Sequence, residues 1–189
     1  MQKRLNELIK QYRGCGMKAE YEGTKSFYEA ASCHYWNSRG MCVKRGHQRQ
    51  HVSNALLYQF ADILEGKQQE LEACANYEEL KKIVDDSKIK GIGPVTLYDV
   101  ATAIGYLQNP KVLPEQFVYL HAGVRKGYNA LVRVNILPKC KENKVATEVF
   151  GRLNGLQSDE LKAYIPKGAT FSMIVEDFLC VMHKELEKL

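Results

Sequence analysis

The 189-residue chain has no run of about 20 apolar residues, so no segment is suited to span a bilayer and no membrane partner is implied. Its first residues, MQKRLNELIKQYR, are amphipathic and charged and lack the apolar centre of a secretory leader. Cysteine occurs six times but never as a CxxC pair, which suits reduced thiols, several of them buried, rather than a disulfide framework. The chain also lacks a GxxxxGKS phosphate loop, a GxSxG elbow and an HExxH helix, and it shows no repeat or low-complexity tract. Strand-like alternation is nearly absent; QFVYL (116–120) is β-rich in composition but short. These absences lead to the expectation of a cytoplasmic, bacterial-type protein with no cofactor and no resident metal.

What is present is helical spacing. The pattern predicts helices around Leu5–Tyr12, from Thr24 through Trp36, from Val52 to Leu64 closed by Gly66, over YEELKKIV, over LYDVATAIGYL, over RKGYNALVRV and NKVATEVFGRL, and over the last 19 residues from Phe171. The expected fold is all-α: one domain over 1–189, with residues 1–70 and 168–189 as a candidate helical lobe. Loops are expected near 13–23, 37–48, 108–115, 135–141 and 164–169. An apolar share of 45% is ordinary for a globular chain, and a formal charge of +5 with a pI near 8.8 permits a polyanionic partner without requiring one.

The stretch KIKGIGPVTLYDVATAIG (88–105) interrupts this helical text with Gly91-Ile92-Gly93-Pro94. Glycine accepts positive φ, and proline suits the first turn of a helix because it has no N–H to leave unpaired. The residues therefore specify helix, tight turn, helix, with open N–H groups near Gly93 to Thr96 at the positive end of the second helix. Such a concavity accepts an oxyanion, and Lys88 and Lys90 flank it, although Asp85 and Asp86 dilute the charge.

At Ile89, Gly91, Ile92, Gly93, Thr96 and Ala101 the stretch resembles the helix-hairpin-helix motif, over about 78–107. That resemblance implies sequence-independent contact with a DNA backbone, duplex rather than single-stranded, through Lys90, Gly91, Ile92, Gly93, Val95 and Thr96, with Arg125 and Lys126 in support, in DNA repair or mobile-element metabolism. Downstream, VYLHAGVRKGYNAL is similar to a segment of base-excision DNA glycosylases that carry this hairpin, with His121 where that family has Asp. Val95 and Thr96 stand where bifunctional members have a Lys nucleophile. Without the Lys there is no Schiff base, and without the Asp no carboxylate stabilises the sugar cation. The chain is otherwise similar to bacterial proteins that carry this hairpin without an assigned activity. Three readings follow: a DNA-backbone-binding protein, a divergent glycosylase-like enzyme using a cleft near His121 with Asp99 as its candidate acid, and a helical interaction protein in which the hairpin is architecture. For His121 the structural alternative is a helix cap or a hydrogen-bonded core histidine.

The segment CHYWNSRGMCVKRGHQRQH holds Cys33, Cys42, His47 and His51, candidate zinc ligands whose spacing is poor for a tetrahedral site. Its cations Arg39, Lys44, Arg45 and Arg49 form the densest basic run, a secondary patch with Tyr35 and Trp36 beside it. Basic groups with interleaved aromatics suit phosphates and unpaired bases. The alternative is a solvated loop with Trp36 in the core.

Overall fold

A computed structural model describes residues 1–14, 16–46 and 52–189. The elements in order are α1 (Gln2–Gln11), α2 (Met17–Gly23), α3 (Phe27–Ala31), β1 (His34–Trp36), β2 (Cys42–Lys44), α4 (Asn54–Glu65), α5 (Gln68–Glu72), α6 (Tyr77–Asp86), α7 (Pro94–Leu107), β3 (Phe117–Tyr119), α8 (Ala122–Arg133), β4 (Lys144–Ala146), a 3-10 run (Thr147–Gln157), α9 (Asp159–Lys162) and α10 (Phe171–Leu186). The chain is mostly helical, 58% by residue, with two small two-stranded sheets among the described residues. None of the described helices is long and apolar enough to cross a membrane.

The chain divides into two compact units: Met1–Met17 with Pro114–Leu189, and Lys18–Leu113. This differs from the expected grouping of 1–70 with 168–189, because residues 18–70 fall in the second unit.

Unit 1 is built on α8 and α10. Gly127 lets the two backbones meet: a Cβ there would lie 2.3 Å from the Leu179 carbonyl oxygen. Val124, Tyr128 and Leu131 of α8 and Val175, Phe178 and Leu179 of α10 share the resulting core, which is fully buried. α1 joins it through Leu5, Leu8 and Ile9. Tyr12, at its end, sits edge-on to Phe178 at 5.5 Å and donates its hydroxyl to Asp177 Oδ2 at 2.6 Å. Spacing alone predicts a helix beginning at Asn143–Lys144, but residues 144–146 form β4, antiparallel to β3 with Val118 opposite Val145. The β-rich QFVYL is thus a strand that finds its partner far along the chain.

Unit 2 is organised around α7, whose residues Thr96 through Tyr106 are all buried. A helix apolar on every side belongs in a core. α6 packs on it, and Tyr77 Oη shares a 2.8 Å hydrogen bond with Thr102 Oγ1. α4 is capped by the Ser53 side chain, which accepts from Leu56 N–H, and buries Leu57, Phe60, Ala61 and Leu64. Two sequence expectations are corrected here. The helix from Thr24 does not reach Trp36: it stops at Ala31, because Cys33 takes φ 57° and turns the chain into β1. Within the expected loops, residues 17–23 form α2, and residues 42–44 form β2, which pairs with β1.

Candidate functional site

The turn between α6 and α7 is the best-formed candidate. Ser87 caps α6, and Ile92 N–H donates to Ile89 O at 3.2 Å, closing the turn. Gly91 has φ 95°, a conformation that favours glycine, and a Cβ on it would meet Leu56 Cδ2 at 2.8 Å. Ile92 is buried and anchors the turn from below. Gly93 is the N-cap of α7 at φ −97° and ψ 172°, followed by Pro94 at the first helical position. The first internal helical bond is Leu97 N–H to Gly93 O at 3.1 Å. The N–H groups of Gly91, Gly93 and Val95 enter no hydrogen bond among the described residues. A Cβ on Gly93 would meet no described atom within 4 Å, so the space beside Gly93 is open.

The electrostatics differ from the sequence impression in one respect. Asp85 is bonded to Lys81 at 2.6 Å and Asp86 to Lys82, one helical turn back. The exposed Lys88 and Lys90 are therefore left as excess positive charge beside the turn.

The structure brings together Lys90, Gly91, Ile92, Gly93, Val95 and Thr96, with the Ile92 and Thr96 side chains turned into the protein. Arg125 and Lys126 belong to unit 1, in the first turns of α8. Lys126 is exposed, whereas Arg125 donates to Glu142 O at 2.7 Å and Asn143 Oδ1 at 2.9 Å. His121 occupies the N-cap position of α8 without a side-chain cap bond. It is buried, with Nε2 3.0 Å from Glu176 Oε1 of α10, itself buried. The side chain is thus a core group beside a carboxyl that sequence reading did not name. Asp99 is buried in unit 2, close enough to Cys33 to act on its thiol. Burial first, and Asp99 second, push the Cys33 thiol up, which disfavours the nucleophilic thiolate.

Removing the His121 imidazole should leave a cavity beside the buried Glu176 side chain and take away its polar neighbour. His121→Ala is expected to cost about 3 kcal/mol of stability in urea denaturation, and to leave DNA affinity unchanged. A destabilisation below about 1 kcal/mol would show that the pair is energetically idle.

The secondary basic patch divides. Arg39 is exposed on the β1–β2 turn, and Lys44 Nζ donates to Val52 O at 2.7 Å. Arg45 does not belong to a surface patch: it is only 2% exposed, donates to Thr24 Oγ1 at 2.7 Å and lies over the Tyr21 ring at 4.6 Å. Arg49, His47 and His51 lie outside the described residues. Among the described residues no group of three or more His, Cys, Asp and Glu side chains is placed to hold a metal ion; Cys33 is buried and Cys42 exposed. Trp36 is exposed rather than in the core.

Comparison with protein-family models, with curated proteins and with solved structures finds no match to this chain.

Proposed function

We propose that the protein binds the phosphodiester backbone of duplex DNA without reading its sequence, through the α6–α7 turn acting as a helix-hairpin-helix element. The observation that carries this reading is the pairing of open N–H donors at Gly91, Gly93 and Val95 with empty space at Gly93 and two exposed lysines beside it. Backbone donors at a helix N-terminus suit a phosphate oxygen, and they carry no base preference. The enzyme reading has less support: His121 is buried against Glu176, and Asp99 is itself buried.

The test is the salt dependence of binding. Affinity for unrelated duplexes of equal length should be the same within experimental error and fall steeply with salt. Replacing both Lys88 and Lys90 with Ala should reduce the slope of log K against log[salt] by about one unit per lost phosphate contact. Binding that ignores salt, or a slope unchanged in the double variant, would overturn the reading.

A further inference from the structure

A second surface of unit 2 has the makings of a base-binding site. From Ala30 to Ala61 the chain contains no Asp or Glu, and within it Arg39 is exposed and Lys44 half-buried. The β1–β2 hairpin and the first half of α4 are built from this acid-free stretch. Side chains alternate along a strand, so His34 and Trp36 share one face of the hairpin, with their partners Lys44 and Cys42. Tyr58 of α4 stacks on His34 at 5.3 Å and 18°, and Tyr28 stacks on Tyr58 at 6.3 Å and 17°. The result is a set of three near-parallel rings, Tyr28, Tyr58 and His34, with Trp36 two residues beyond His34 on the same face of β1.

Two of these rings are open to solvent: Trp36 is 45% exposed and Tyr58 41%. The flanking carboxylates are engaged at ring edges. Glu29 accepts from Trp36 Nε1 at 2.7 Å and from Lys25 N–H at 2.6 Å, and Asp62 accepts from the Tyr28 hydroxyl at 3.0 Å. The indole is thus fixed by its only polar atom, with ring surface left open to solvent. A fixed aromatic surface loses little freedom when a flat partner lies on it. Burial, with Lys44 adding to it, lowers the His34 pKa, so the row is uncharged at neutral pH.

Helix α4 stands between the phosphate-contact candidate and this surface. Gly91 abuts Leu56, and Lys44 is bonded to Val52 at the start of that helix. Leu56 and Tyr58 are two positions apart, about 200° around an α-helix, so turn and ring row lie on opposite flanks of α4, about 10–12 Å apart. A flexible single strand can reach across that width.

We propose that Trp36 and Tyr58 form a platform on which unpaired bases of a nucleic-acid strand stack, with Arg39 placed for its phosphates. This extends the reading of the α6–α7 turn and rests on it, and the experiment separates the two. Trp36 is the single tryptophan of the chain, so its emission reports this site alone. The full chain is titrated with oligothymidylate, with inorganic polyphosphate as a base-free polyanion, and with duplex DNA. Oligothymidylate should quench Trp36 saturably, because a stacked base opens a non-radiative path, and polyphosphate should not. Trp36→Ala and, independently, Tyr58→Ala should weaken oligothymidylate binding about tenfold or more, with duplex affinity kept; Trp36→Phe should retain most of it. Unaltered circular dichroism, expected for exposed side chains, confirms folding. Binding of oligothymidylate without quenching, or with equal affinity in both alanine variants, overturns the platform. Duplex binding without single-strand binding overturns it too and leaves the backbone reading standing; binding of neither removes both. An emission change that follows protein concentration without nucleic acid assigns the face to self-association and likewise overturns the proposal.

Discussion

Gly127→Ala is expected to lower the stability of unit 1 by about 1–2 kcal/mol, a large effect for one methyl group. The added Cβ would lie 2.3 Å from Leu179 O and 3.0 Å from Leu179 C. Both are main-chain atoms inside α10, so no rotamer change relieves the contact. The helices must instead separate by about 1 Å, loosening the contacts of Val124, Tyr128, Val175 and Phe178 along their shared face. Overpacking of this kind costs about 1–3 kcal/mol and occasionally more, whereas alanine's better helix propensity returns about 1 kcal/mol. Asn129 lies on the exposed side of the same helix, and Asn129→Ala should leave stability unchanged or slightly raised. Urea denaturation followed by circular dichroism decides it: equal midpoints for the two variants would mean that α8 and α10 are not in backbone contact.

Gly93→Val is expected to weaken duplex binding about tenfold or more while leaving the fold intact. At φ −97° and ψ 172° the position is extended backbone open to any residue, and its Cβ would point into empty space. The folding cost is then that of a poorer N-cap, about 1 kcal/mol. A branched side chain there would stand where a phosphate must approach the open N–H groups, forfeiting at least one charge-assisted hydrogen bond of about 1.5–3 kcal/mol. Gly91 is the contrasting case. Its φ of 95° and its contact with Leu56 make Gly91→Val a structural lesion, so loss of binding there says nothing about DNA. Normal helicity with unchanged affinity in Gly93→Val would make the turn architecture only.

The legible parts of the sequence were those governed by local chemistry. Apolar spacing from Val52 to Leu64 with Gly66 after it marked α4, the spacing from Phe171 marked α10, and Gly-x-Gly-Pro marked the turn before α7. The strands were missed for two different reasons. β1 continues the helical spacing of α3, and nothing in a Cys at position 33 announces a left-handed backbone. β3 and β4 are each three residues long and acquire meaning only when paired across α8. The site divides in the same way. The glycine turn could be read locally, but Glu176 as the partner of His121 and the burial of Arg45 under Tyr21 depend on contacts between distant segments. A charge count cannot separate a buried arginine from a solvated one.

The chain enters unit 1 at its start, leaves after Met17, completes unit 2 without interruption, and returns at Pro114. This path gives the two units unequal prospects during synthesis. Unit 2 is contiguous, so all its contacts become available once Leu113 has been made. α1 is made before α8 and α10 and must wait for them, with Leu5, Leu8, Ile9 and Tyr12 lacking their native core until α10 appears. Closing so long a loop is slow, and the waiting apolar stripe is a surface open to a nascent-chain chaperone in the interval.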